Sequence, residues 1–99
     1  MVQVNWTFLA KDDLKNIYDF ISRDSKRYAM HQILRIKNRT HILTFQMLVG
    51  KVVPELNQKE IRELVEGNYR IIYKVVSRNR VDVLTVHHTS RDLLRRGLM

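Results

Sequence analysis

The chain has 99 residues, with 18 Lys or Arg against 10 Asp or Glu, a net charge of +8 and no cysteine. That length supports a single domain, residues 1–99, with a modest core, and excludes a second, cofactor-binding domain; the missing thiols exclude disulfides, Cys-ligated zinc and thiol catalysis, and fit a reducing cytoplasm. No run approaches the roughly 20 apolar residues of a membrane span, and the alternating start is unlike a secretory leader, so a soluble cytoplasmic protein is expected.

Val2, Val4 and Trp6 alternate with polar residues and predict a strand. Thr7 is a candidate N-cap, with Asp12 and Asp13 expected in or near the first turn of the helix that follows, where the helix dipole favours anions. Leu14, Ile17, Tyr18 and Ile21 form one apolar stripe on that helix, which should end near Arg23. A second helix is predicted from about Lys26 to about Gln46, with Ala29, Ile33, Ile36, Thr40, Leu43 and Met47 as the seam against the first. Lys26, Arg27, Arg35, Lys37 and Arg39 fall mostly off this seam and read as a solvated face, and His31 and His41 read as surface residues.

Gly50 ends the helical region, and Lys51–Asn57 should be extended, because Val53 precedes Pro54 and is disfavoured in the helical region. Ile61–Glu66 and Tyr69–Val76 then form a hairpin around Gly67 and Asn68, which both tolerate positive φ. Tyr69, Ile71, Tyr73 and Val75 face the core, and Arg70, Ile72, Lys74 and Val76 face away. Arg70 can pair with Glu63 across this hairpin. Val81–Val86 is the last strand, and it delivers His87, His88 and Arg91 at or beyond its end. Adjacent histidines on a strand point to opposite faces, so no two-histidine metal site is expected, and no cofactor. The expected fold is α+β, in the order β-α-α-β-β-β, with an N-terminal helical hairpin packed on one face of an antiparallel sheet.

Trp6, Ala10 and Asp13-Leu14, then Gly50 with Val53-Pro54-Glu55-Leu56, Ile61-Arg-Glu-Leu64, Gly67-Asn-Tyr-Arg-Ile-Ile-Tyr73 and Val86-His-His-Thr-Ser-Arg-Asp-Leu93 together resemble the RelE/ParE toxin superfamily. The resemblance covers nearly the whole chain. It implies the toxin of a bacterial type II toxin-antitoxin module of the plasmid-stabilisation kind, held in a hetero-oligomer by an acidic antitoxin, a partner that the charge of +8 suits.

Two mechanisms occur in that superfamily. RelE-like members cleave messenger RNA on the ribosome and need clustered cations with an acid or base. By resemblance Arg70 stands at their phosphate-binding arginine, and His88 and Arg91 are the available substitutes for the rest of such a site. Ile61 and Glu63 stand where lysines are expected, however, and Leu93, Leu94 and Arg95 where a tyrosine is expected. ParE-like members poison DNA gyrase by binding it, and the chain has their Arg62-Glu63-Leu64, Val53-Pro54-Glu55-Leu56 and His88-Thr-Ser-Arg91-Asp-Leu93 segments. The ParE-like branch is therefore the closer one, with no catalytic residue required. Arg62, Arg70, Lys74, His88, Arg91 and Arg95 are the candidates for contact with gyrase or antitoxin. A small basic nucleic-acid-binding module is a weaker alternative, because the outward sheet face has no aromatic platform.

Overall fold

The computed structural model describes residues 1–90. Strand β1 (Gln3–Trp6) runs into helix α1 (Phe8–Ser22) and helix α2 (Lys26–Arg39), and a short 3₁₀ segment, Thr40–Thr44, follows. Four strands complete the chain: β2 (Lys51–Val52), β3 (Ile61–Glu66), β4 (Tyr69–Ser77) and β5 (Arg80–His88). They form one five-stranded sheet in the order β1-β5-β4-β3-β2, with both helices on one face.

Each helix starts where its sequence allows. The Thr7 hydroxyl accepts the Ala10 amide at 3.2 Å, and the Ser25 hydroxyl accepts the Tyr28 amide at 3.0 Å, so each satisfies one of the free donors of a first turn. Asp12 and Asp13 lie one turn further in than expected, and no acidic residue occupies the first turn of α1. Asp13 is instead buried, and its Oδ2 accepts the Val86 amide at 3.0 Å and the Thr85 hydroxyl. The β4–β5 register slips between Ile72 and Tyr73, opposite this stretch of β5. A bulge disrupts the regular ladder, and the Asp13 carboxylate meets the amide beside it.

The second helix is shorter than its apolar spacing predicts. The Thr40 hydroxyl donates to the Lys37 carbonyl at 2.7 Å, and the Thr40 amide reaches Asn38 and Lys37, which tightens the chain into the 3₁₀ turn. Thr40 and Leu43 stay buried through that change, because a 3₁₀ turn still carries them toward the sheet.

The sheet is mixed, where an antiparallel one was expected. β1 pairs parallel to β5, with Val4 opposite Val81 and Trp6 opposite Val83. Alternation marks a strand without naming its neighbour, and here the partner lies across the helical hairpin. A further strand, β2, pairs Lys51 with Glu63 and Val52 with Arg62 before Pro54 ends the ladder. At the β3–β4 turn only Gly67 takes positive φ, +60°, the pattern of a turn with glycine at its first central position.

The main core lies between helices and sheet and contains Ala10, Leu14, Ile36, Leu43, Leu64, Ile71, Tyr73, Val81, Val83 and Val86. Trp6 and Tyr69 pack against it half-buried. The opposite face was expected to carry isolated charge. It holds instead a second core of Val53, Leu56, Ile61 and Ile72, because the chain after Val53 folds back over it: the amides of Leu56 and Asn57 both bond the Val53 carbonyl.

Candidate functional site

Arg70 lies on the second face, one residue beyond the glycine turn, and is buried. Its Nη1 and Nη2 form a bidentate pair with Glu55 at 2.6 and 2.9 Å, and Nη2 also bonds Glu63. The pairing with Glu63 follows from the hairpin. Glu55 comes from the folded-back segment, and sequence reasoning missed it because nothing local brings Glu55 to Arg70. The only signal available was the carboxylate of a Val-Pro-Glu-Leu segment just before a hairpin that carries an arginine on its second face.

The electrostatics follow from that geometry. The bonds from Arg70 hold the Glu55 carboxyl down to about 2, against the opposing effect of burial. The guanidinium is held further in its charged form, first by the bonds from Glu55 and then by Glu63. A shallow depression lined by Pro54, Glu55, Glu63, Val65, Arg70 and Thr89 lies over the cluster. One guanidinium facing two carboxylates has no positive charge left for a phosphate.

His88 is placed on the other side of the sheet. Tyr69 is its register partner, and the two rings meet edge to face at 5.7 Å, while Arg70 is opposite His87. The Ser90 amide donates to His88 Nδ1 at 3.2 Å and the Ser90 hydroxyl lies 2.8 Å from the same nitrogen. Nδ1 is therefore the acceptor, and the neutral ring keeps its proton on Nε2. Arg70 and His88 thus project from opposite faces of the sheet and share no substrate position.

The other candidates are dispersed. Arg62 is used as a staple: Nε donates to the Lys59 carbonyl at 3.0 Å, and Nη1 to the carbonyls of Leu48 and Gly50 at 3.2 and 2.9 Å. Lys74 is exposed. Arg91 and Arg95 lie outside the described residues. Among the described residues no group of three or more His, Asp or Glu is arranged to hold a metal ion.

A more coherent surface lies between the helices. Trp6, Leu14, Tyr18, Met30 and Ile33 floor a groove of about 470 Å³, and Lys11, Lys15 and Lys37 line it as well. No carboxylate lines it. Lys11, Lys15 and Tyr18 stand at i, i+4 and i+7 on the flank of the α1 stripe, a pattern readable in the sequence once the opposing helix is in place. A second cleft, beside α1 at the end of β5, is lined by polar groups including Asp13, Asn16, Asp19, Arg23 and His88.

Residues 4–93 match the family described as ParE toxin of type II toxin-antitoxin system, parDE. Among solved structures, the chain is similar to one titled as a chromosomal ParDE toxin-antitoxin system from P. aeruginosa, at 20% identity and a TM-score of 0.73, covering 89% of this chain and 96% of that one. It is also similar to one from the RelBE2 toxin-antitoxin complex of Mycobacterium tuberculosis, at 22% identity and a TM-score of 0.55, covering 88% and 96%. At these identities the two structures establish the shared fold. Comparison with curated proteins returns no match.

Proposed function

From the premise that the chain belongs to the ParE toxin family of type II toxin-antitoxin systems, we propose that it acts by binding and performs no bond chemistry of its own. An acidic antitoxin holds it inactive in the cytoplasm as a hetero-oligomer; released, it inhibits DNA gyrase and stabilises the cleaved DNA complex. The observation that carries this reading is the neutralised arginine. In a ribonuclease Arg70 would have to hold the scissile phosphate, yet Glu55 and Glu63 already occupy its guanidinium. An acid or base at His88 would act through the sheet from it. Strand cleavage needs charge stabilisation and two proton transfers at one point, and Arg70 and His88 do not converge on one.

The groove between the helices is where the antitoxin fits best. Its apolar floor suits the anchors of an amphipathic helix, and Lys11, Lys15 and Lys37 suit flanking carboxylates, which speed encounter and fix orientation. Lys74 and the terminal Arg91 and Arg95 remain for contact with gyrase or with the antitoxin's remaining length. Arg70 contributes by holding the second face, and Arg62 by tying the Lys59, Leu48 and Gly50 carbonyls together.

The test is a side-by-side assay of one preparation for gyrase supercoiling with trapped cleavage, and for messenger cleavage on translating ribosomes. Gyrase inhibition with intact messenger is the expected result. Codon-periodic cleavage with normal supercoiling would overturn the reading in favour of a ribonuclease built on Arg70, His88 and Arg91.

A further inference from the structure

The positive charge is concentrated on one helix. The chain has 18 basic and 10 acidic residues; without Arg91, Asp92, Arg95 and Arg96, residues 1–90 have 15 and 9, a net +6, and α2 alone supplies +5 because it contains no Asp or Glu. In the rest of residues 1–90, ten basic residues stand against nine acidic ones, and some are directly paired, as in the Arg70 cluster and the Arg80–Asp82 pair. Of the five α2 cations only Arg35 has an ion-pair partner among the described residues, Glu66 at 3.2 Å.

Two of these cations are placed against the interest of the helix itself. Lys26 and Arg27 are its first two residues, where the positive end of the helix dipole disfavours cations, offset by the Ser25 cap and the charge of Asp24 before it. A solvated face would be served as well by acidic residues there. The outer surface of α2 also has a definite layout: Lys26 and Arg27 at one end, Arg35 at the other, and exposed, uncharged Leu34 with His31 between, while Met30 and Lys37 turn toward the groove at α1. A helix with its side chains is about 10–12 Å across, and the major groove of B-DNA is about 12 Å wide.

We propose that the outer face of α2 is a binding site for duplex DNA, with the helix lying along the major groove, its cationic side chains on the flanking phosphates and its uncharged middle toward the base edges. The shape favours DNA over an acidic protein segment: this face is a convex ridge that fits a groove, whereas the concave, apolar site for a peptide lies on the α1 side. A-form RNA is disfavoured, because its major groove is too deep and narrow to admit a helix. Arg35 would release Glu66 to reach a phosphate. The site is independent of the gyrase reading, since it requires nothing but DNA and this chain.

The experiment is fluorescence anisotropy with a labelled duplex of about 20 base pairs at several salt concentrations, and with a poly-glutamate peptide as the second probe. The purified chain should bind the duplex in the micromolar range at low salt, typical of phosphate-dominated binding. Neutralising Lys26, Arg27 and Arg35 to Gln should weaken it at least tenfold and lower the salt slope by about 2–3, since each lost phosphate contact removes about 0.9. That variant should melt no lower than the parent, because two unfavourable charges leave the helix N-terminus. The control neutralises exposed Lys51, Lys59 and Arg78 to Gln, which removes the same net charge and should leave binding within about twofold, well short of the loss expected of three phosphate contacts. Equal losses in both variants, no loss in the α2 variant, or binding of poly-glutamate but not of the duplex would each overturn the proposal.

Discussion

The two faces of the sheet are held by different physics. Under the helices, ten buried residues from Ala10 to Val86 exclude water by apolar contact, and the polar groups there, Asp13 and Thr85, join α1 to the bulged strand. On the other face four buried apolar residues are too few to fix a layer, and the Arg70–Glu55–Glu63 cluster ties the folded-back segment to the hairpin. The comparison teaches that a buried arginine on a sheet face can serve as a structural clamp. Its burial and its partners decide which role it has, and residue type does not.

Putting a charge on the apolar face should have the largest effect. Ile71 is fully buried, so Ile71→Asp strands a carboxylate without a partner, and we expect a loss of about 5 kcal/mol or more, enough to abolish folding. Circular dichroism with urea titration measures it; a variant melting within a few degrees of the parent would contradict the placement of this face. The second face should respond to the balance of charge more than to its presence. Arg70→Met leaves Glu63 buried and unpaired and should cost about 3–4 kcal/mol. Arg70→Met with Glu63→Met should recover most of that loss, because Glu55 is nearer solvent and can turn outward. Failure of the double variant to recover would mean that the pair supplies more than mutual neutralisation.

What was legible in the sequence divides along the same line. Periodicity gave both helices, the hairpin and the inward set Ile71, Tyr73 and Val75, because contacts within one element leave a 3.6 or 2.0 repeat. It also placed the Arg70–Glu63 pair, since both lie on one hairpin. Contacts between distant segments left no repeat to read: β1 beside β5, Asp13 against Val86, and Glu55 against Arg70 depend on how the chain returns on itself. A groove beside the helical hairpin was to be expected, but its lining was not readable for the same reason, since its two walls come from different helices. The early end of α2 at Thr40 turned on a single hydroxyl competing for a backbone carbonyl, a local effect that an apolar repeat does not record.

Gly50 lies where the two faces communicate through Tyr73. The Tyr73 hydroxyl donates to the Met47 carbonyl at 2.8 Å and accepts the Gly50 amide at 2.9 Å. A Cβ at residue 50 would meet the Glu63 carbonyl oxygen at 2.6 Å and the Tyr73 hydroxyl at 2.7 Å. Gly50→Ala should therefore cost about 2–3 kcal/mol by overpacking. Tyr73→Phe keeps the ring and loses both bonds. If Gly50→Ala costs less in that background, the hydroxyl carries part of the clash; if the full cost persists, it is with the Glu63 carbonyl and the ring edge, 2.8 Å away, that Phe keeps.

Acid should separate the faces most gently. The Glu55 carboxyl titrates at about 2 in the folded chain against 4.5 ordinarily, because Arg70 donates two bonds to its ionised form. A lowered folded value means that the stabilisation is fully present above pH 4.5 and is lost progressively as pH falls from 4.5 toward 2. With the shift discounted for the solvent that reaches Glu55, its size is about 1–2 kcal/mol. Glu55→Gln still offers Arg70 one oxygen but cannot titrate. The stability of the parent relative to Glu55→Gln should therefore be highest near pH 6 and shrink toward zero near pH 2.5, measured by urea titration at each pH. A constant difference across that range would mean that the Glu55–Arg70 pair is not closed in solution, and the second face would then rest on its four apolar residues and Glu63 alone.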